Sequence, residues 1–136
     1  MIAGVAVVAV IAITAVLLSQ QNTAAPSAVV QPLPAEVSVS DAVAKRESGA
    51  FILDVRQPDE WVEYHVPDST LIPLGELDSR LSDVPKDKDI VVVCRSGNRS
   101  QSGRDILLKA GFTRVTSMVG GLSAWKAQGF PTVSGQ

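Results

Sequence analysis

The sequence predicts a three-layer α/β domain with a mainly parallel central sheet. From residue 37 onward, short apolar stretches that favour β-strands alternate with helix-forming stretches, an order typical of parallel sheets covered by helices. The run Ile-Val-Val-Val at residues 90–93 is continuous and β-branched, which indicates a strand buried on both faces. In such sheets, functional residues collect where strand carboxyl ends meet helix amino ends, so a site is expected at that edge.

The distribution of charge divides the chain into three parts. All 12 Lys and Arg and all 14 Asp and Glu lie at or after Glu36. Residues 1–19 form a hydrophobic segment, and residues 20–35 form a polar linker that contains Pro26, Pro32 and Pro34. Residues 36–136 form a domain of about 100 residues, which is a common domain size. The sequence therefore predicts one globular domain behind a hydrophobic leader and an extended tether.

The first half of the domain is predicted to contain three strands and three helices. Residues 37–39 favour a strand, and Ser40 or Asp41 can cap a helix that ends near residue 48 before Gly49. Residues 51–55 form the next strand, and Pro58 suits the first turn of a short helix. A brief strand at residues 71–72 and a helix at residues 74–81 follow.

The second half is predicted to contain two strands, each followed by a helix. The buried strand at residues 90–93 leads to a helix over residues 100–110, which stops at Gly111. Residues 115–119 form the last strand. Gly120 and Gly121 then turn into a final helix that holds Trp125.

Residues 2–18 are predicted to form a hydrophobic helix that anchors the chain in a membrane. The stretch is apolar apart from Gly4 and Thr14 and would be roughly 25 Å long as a helix, slightly short of a bilayer core of about 30 Å. It has no polar face, unlike a helix packed on a domain surface. A signal peptide is the alternative, but Pro26 after the small residues 23–25 disfavours cleavage. We expect the domain to lie outside the cytoplasm, although no basic residue flanks the segment to set its orientation.

Composition excludes several classes of function. The net charge is −2, with both signs interspersed and no basic run, so a nucleic-acid surface is not expected. Cys94 is the only cysteine and His65 the only histidine, which excludes an internal disulfide and a Cys/His zinc site. We expect no metal and no cofactor.

Cys94 is the predicted catalytic residue. It directly follows the buried strand, and a short loop then leads into a helix. In this arrangement backbone N–H groups and the helix amino end favour an anion, so the thiol is expected to be a thiolate, its nucleophilic form. The remaining residues of this loop are predicted to bind substrate: Arg95, Ser96, Gly97, Asn98, Arg99 and Ser100.

The chain resembles the rhodanese family over residues 36–134, on five motifs in the same order and spacing. Residues 53–56 with Glu60 and Trp61 look like the first signature, and His65-Val66-Pro67 resembles the second, although Tyr64 and Asp68 replace the usual glycines. Residues 94–100 look like the active loop. Gly111-Phe112 and residues 120–125 resemble the carboxyl-terminal signatures.

The resemblance implies a single-domain sulfurtransferase of the thiosulfate:cyanide type. A small anionic donor such as thiosulfate would pass its sulfane sulfur to Cys94, leaving a persulfide. A thiol or cyanide acceptor would then remove that sulfur. Arg99 is expected to help hold the anionic donor, with a smaller contribution from Arg95.

Two alternatives remain open at this point. A cysteine phosphatase or arsenate reductase uses a related loop, but with five residues between cysteine and arginine; here four separate Cys94 from Arg99, and Ser100 occupies the next position. A persulfide carrier or binding module for a partner protein is the other alternative. We expect Arg56 to pair with Glu60, and His65 to be a packing residue.

Overall fold

The computed structural model describes residues 31–136. These form a five-stranded parallel sheet in the order β1-β5-β4-β2-β3. The strands are β1 (Glu36–Val37), β2 (Phe51–Asp54), β3 (Thr70–Leu71), β4 (Ile90–Val93) and β5 (Val115–Met118). The α-helices are α1 (Val39–Glu47), α2 (Pro58–Glu63), α3 (Asn98–Lys109) and α4 (Gly121–Ala127). The predicted α/β class with a parallel sheet is confirmed.

The central strand β4 is buried on both faces, as its β-branched run predicts. Its side chains alternate between two apolar clusters. Ile90 and Val92 pack in one cluster with Leu107 of α3, whereas Val91 and Val93 pack in the other. The second cluster also contains residues of α1 and α4, among them Ala42, Leu122 and Trp125. The sheet therefore has an α3 face and an opposite face.

Two predicted helices differ from the structure, each for a local reason. Helix α1 begins at Val39 because the Ser38 hydroxyl accepts a hydrogen bond from the Asp41 N–H at 3.1 Å. The segment predicted as a helix at residues 74–81 forms two 3-10 helices, Leu74–Ser79 and Leu81–Asp83. That segment contains Gly75, Asp78 and Ser79, which are poor formers of a regular α-helix.

The predicted hydrophobic helix and anchor at residues 2–18, and most of the linker, lie outside the described residues. Within residues 31–136, no helix has both the length and the apolar character needed to cross a bilayer. Residues 31–34 have no regular secondary structure. The chain is tied to the sheet at Ala35, whose carbonyl accepts a hydrogen bond from the Ser117 N–H at 3.0 Å.

Candidate active site

Cys94 lies at the carboxyl end of β4, at the edge where a site is expected. Alternation along the strand places its side chain on the α3 face, in the same cluster as Ile90 and Val92. The residue is only 1% exposed. The thiol therefore lies at the base of the loop that follows, beneath the surface of the domain.

The loop turns into α3 sooner than the sequence indicates. The helix begins at Asn98, and Gly97 precedes it with a left-handed backbone, φ 103°. A Cβ at residue 97 would also approach the backbone nitrogen of Gly120 at 3.2 Å, so only glycine fits this turn without strain. Asn98, Arg99 and Ser100 consequently form the first turn of the helix instead of the loop.

The thiol sits in a cradle of hydrogen-bond donors, formed by the loop and the start of α3. The Gly97 N–H donates to Sγ of Cys94 at 3.1 Å, and the N–H groups of Ser96 and Ser100 also interact with it. The Ser100 Oγ lies 3.5 Å from Sγ. We call this set of groups the sulfur cradle.

The sulfur cradle favours the thiolate form of Cys94. Burial raises the pKa of the thiol, because an apolar surrounding disfavours the charged form. The side-chain hydrogen bond between Cys94 and Ser100 and the backbone N–H groups of Ser100, Gly97 and Ser96 lower the pKa. Their combined effect is the larger, so the pKa of Cys94 lies below its ordinary value.

Helix α4 holds the outer side of the loop in place. The Leu122 N–H donates to the Cys94 carbonyl at 2.8 Å, and the Ser123 N–H donates to the Arg95 carbonyl at 3.0 Å. A Cβ at Gly121 would overlap both of these carbonyl groups. Gly121, the first residue of α4, thus allows the loop to pack directly on the amino end of this helix, because a side chain there would collide with the loop backbone.

The two arginines of the loop have different surroundings. Arg95 is exposed and forms no ion pair within residues 31–136. Arg99 forms a two-pronged ion pair with Glu60 of α2, with Nη1–Oε2 at 2.7 Å and Nη2–Oε1 at 2.8 Å. The hydrogen bond from Arg99 lowers the pKa of Glu60 to about 2. The charge of Arg99 is therefore partly neutralised at the rim of the loop.

The expected pairing of Arg56 with Glu60 is wrong. Arg56 is buried and binds the carboxylate of Asp54, with Nη2–Oδ2 at 2.7 Å and Nε–Oδ1 at 3.0 Å. It reaches only the backbone carbonyl of Glu60, at 3.2 Å, and that of Tyr64, at 2.7 Å. Both arginines thus bind α2, but Arg56 secures its backbone while Arg99 holds the Glu60 side chain.

His65 is a packing residue, as expected. Its ring stacks on Trp61 with centroids 3.6 Å apart, and Nδ1 lies 2.9 Å from the Trp61 carbonyl oxygen. Its backbone forms an antiparallel bridge with Val133. The buried Trp125 donates its indole N–H to the Pro131 carbonyl at 3.0 Å, so neither tryptophan contributes a group to the sulfur cradle.

Only some of the predicted site residues contact the sulfur of Cys94. Ser96, Gly97 and Ser100 interact with the sulfur, whereas Arg95 and Asn98 are exposed beside it. Two contributors were missed from the sequence: Glu60 as the partner of Arg99, and Ser117. Ser117 is buried on β5, next to β4, and its hydroxyl donates to the Ser100 Oγ at 2.8 Å. No local pattern signals either contact, because both join segments distant in sequence.

Comparison with known proteins agrees with this geometry. Residues 38–128 match the family model of the rhodanese-like domain. The chain is 36% identical over 97 residues to a sulfurtransferase from Allochromatium vinosum, covering 71% of this chain and 90% of the relative. It is 39% identical over 85 residues to the thiosulfate sulfurtransferase GlpE of Pseudomonas syringae pv. syringae, covering 62% and 80%.

The same likeness holds among solved structures. A rhodanese-related protein from Thermoplasma volcanium superposes with a TM-score of 0.69 at 28% identity, covering 74% of this chain and 98% of that protein. The matched range contains β4, the sulfur cradle that follows it, and the paired glycines at the start of α4. The resemblance inferred from the sequence is thereby confirmed, and the chain belongs to the rhodanese-like domain family.

Proposed function

We propose that this protein is a sulfurtransferase that moves sulfane sulfur from a donor such as thiosulfate to a thiophilic acceptor through a Cys94 persulfide. One observation carries the proposal: the buried Sγ of Cys94 receives hydrogen bonds from the sulfur cradle, which lowers its pKa. The names of its sulfurtransferase relatives support the same class of reaction.

The first half-reaction loads the cysteine. The Cys94 thiolate attacks the outer, sulfane sulfur of thiosulfate, and a new sulfur–sulfur bond forms to Sγ. The sulfur–sulfur bond of thiosulfate breaks, and its electron pair leaves with sulfite. The outer sulfur of the resulting persulfide is anionic, so backbone N–H groups that favour the thiolate also suit this intermediate.

The second half-reaction unloads it. A thiophilic acceptor, such as cyanide or a thiolate, attacks the terminal sulfur of the persulfide. The bond between that sulfur and Sγ breaks, and its electron pair returns to Sγ as the thiolate. The hydrogen bond from Gly97 to Sγ stabilises this leaving group, so the reaction needs no separate general base at Cys94.

The cysteine phosphatase alternative has less support. Such an enzyme requires an arginine that binds the oxyanion above the cysteine, whereas the residue at that spacing is Ser100, whose hydroxyl donates to the Gly97 carbonyl and accepts from the Cys94 thiol. Arg99 binds Glu60 instead. The cradle therefore suits one sulfur atom better than a phosphate. The persulfide-carrier alternative differs only in the acceptor, which would be a partner protein.

Replacement of the cysteine tests the proposal directly. With thiosulfate and cyanide, the wild-type protein is expected to form thiocyanate, and thiosulfate alone should add one sulfur atom to Cys94 in the intact mass. Cys94→Ser should reduce both to background, because a hydroxyl is a far poorer nucleophile near neutral pH. Ser102→Ala, an exposed position on α3, is the matched control. Thiocyanate formation by Cys94→Ser would refute the assignment.

We also propose that residues 2–18 anchor the domain on the extracytoplasmic side of a membrane. The support is the sequence: this stretch contains no charged residue, and the polar, proline-containing linker follows it. The full chain should sediment with membranes and be accessible to external protease in spheroplasts. A variant beginning at residue 31 should be soluble, and recovery of the full chain in the soluble fraction would refute the anchor.

A further inference from the structure

Ser117 forms a hydrogen-bonded chain that ends at the reactive sulfur. It follows Thr116 on β5 and points to the α3 face, where it is completely buried. Its hydroxyl donates to the Ser100 Oγ at 2.8 Å, and Ser100 in turn donates to the Gly97 carbonyl at 3.0 Å. The Ser100 Oγ also lies 3.5 Å from Sγ of Cys94. The proposed mechanism gives Ser117 no role.

The hydrogens of this chain can be counted in the thiol state. A hydroxyl has one hydrogen to donate and two lone pairs to accept with. The Ser100 Oγ accepts from the Ser117 hydroxyl and from the Cys94 S–H, and it donates to the Gly97 carbonyl. All three positions of the Ser100 hydroxyl are thus occupied while the cysteine is protonated.

The count changes when the cysteine loses its proton. Sγ no longer donates and becomes a strong acceptor, so the Ser100 hydrogen can turn from the Gly97 carbonyl to the sulfur. Ser117 continues to donate to the Ser100 Oγ. A hydroxyl that accepts a hydrogen bond is polarised and becomes a better donor, and bonds to charged acceptors are the stronger ones.

We propose that Ser117 is a positioning residue that orients the Ser100 hydroxyl toward Cys94 and thereby stabilises the reactive thiolate. The proposal rests on the proposed function in one respect, that the thiolate is the form of Cys94 that reacts. It adds a residue of β5 to a site otherwise built from the active loop and the starts of α3 and α4.

The charged groups around the loop do not supply the hydrogen bonds that Ser117 and Ser100 provide. They are Asp54, Arg56, Glu60, Arg95 and Arg99. Within residues 31–136 none of them donates a hydrogen bond to Sγ, whose partners are the cradle groups. Four of them form two ion pairs, Asp54 with Arg56 and Glu60 with Arg99. Removal of the Ser117 hydroxyl therefore alters the hydrogen bonding at Sγ without altering the charge around it.

The test is a titration of the thiolate by its ultraviolet absorbance, without any sulfur donor. Cys94 is the only cysteine of the chain, so no second thiolate contributes, and a Cys94→Ser titration subtracts the absorbance of the single tyrosine, Tyr64. Ser117→Ala is expected to raise the midpoint by about half a pH unit, which is a roughly threefold loss of thiolate below the midpoint. Ser117→Thr, which keeps the hydroxyl, should restore the wild-type midpoint.

Two further variants make the test independent of packing. Ser117→Val has nearly the shape of Ser117→Thr but no hydroxyl, so a higher midpoint in the valine variant supports the proposal even if alanine leaves a destabilising cavity. Thr116→Val removes a neighbouring buried hydroxyl on the opposite face, one without a hydrogen-bond partner within the described residues, and should leave the midpoint unchanged.

The results separate this proposal from the proposed function. Equal midpoints for Ser117→Thr and Ser117→Val would overturn the role of Ser117, and so would an equal shift in Thr116→Val. If the wild-type protein transfers no sulfur, but the midpoint rises in Ser117→Val and not in Ser117→Thr, the proposed function is overturned and the positioning role is supported.

Discussion

Two arginine–carboxylate pairs flank the active loop, and they differ in burial. The Asp54 and Arg56 side chains are 0% and 2% exposed, whereas Glu60 and Arg99 are 18% and 34% exposed. The buried pair joins the end of β2 to the backbone of α2, and the guanidinium also binds two carbonyl oxygens. The rim pair joins the side chains of α2 and α3 within reach of solvent. The comparison indicates that the buried pair supports the fold, whereas the rim pair sets the charge at the solvent-accessible edge of the loop.

The largest expected effect comes from breaking the buried pair. Arg56→Met leaves the Asp54 carboxylate buried without its partner, which costs about 3–5 kcal/mol. The free energy of unfolding in denaturant would measure the loss. Arg80→Met is a suitable control, because Arg80 forms exposed ion pairs with Glu76 and Asp83 and its loss should change stability little. Equal losses in both variants would contradict a special role for the buried pair.

The rim pair should contribute a smaller stability that depends on pH. The pKa of Glu60 is lowered from 4.5 to about 2, chiefly by Arg99. A lowered pKa stabilises the fold above the unfolded value, so this contribution is present above pH 4.5 and is lost as the pH falls toward 2. The Glu60→Gln variant lacks this contribution. We expect its free energy of unfolding to be about 1–2 kcal/mol lower at neutral pH, after allowance for solvent screening.

Melting temperatures across that pH range would check the sign. The wild-type protein should lose more stability than Glu60→Gln on acidification, so that the two curves converge near pH 2. Parallel curves would show that protonation of Glu60 is not coupled to unfolding. The glutamine retains the oxygen that can accept from the Gln57 N–H at the start of α2, so the comparison isolates the charge.

The smallest expected effect is on the binding of an anionic donor. Arg99→Ala leaves Glu60 unpaired and should raise the thiosulfate KM about two- to fivefold, whereas Glu60→Gln unmasks Arg99 and should lower it by a similar factor. The double variant should lie between the two. Higher ionic strength should shrink all of these differences. Steady-state kinetics at two salt concentrations would show this, and a KM unaffected by either change would assign donor binding to the backbone alone.

The role of each pair depended on contacts that no local pattern shows. Glu60 follows Arg56 by four residues, a spacing that favours a helical pair, yet Arg56 precedes α2 and turns back to Asp54. After β2 ends at Asp54, the chain bends at Arg56, and the Asp54 carboxylate accepts a hydrogen bond from the Arg56 N–H at 3.0 Å. Arg99 then takes Glu60 from 39 residues away. A contact between residues so far apart in sequence depends on where the tertiary fold places α2 and α3.

The sequence by itself determined the strand–loop–helix motif around Cys94, because a β-branched run, a glycine and a helix-forming segment each have a strong local preference. It also indicated the parallel α/β class through the alternation of elements. Only the tertiary structure decided that α3 begins at Asn98, which partners the two arginines take, and that Ser117 lies beside Ser100. Strand order brings β5 next to β4, and alternation then turns Ser117 toward the α3 face. The strand order depends on how all the strands and helices pack together, so no single segment of the sequence can reveal it.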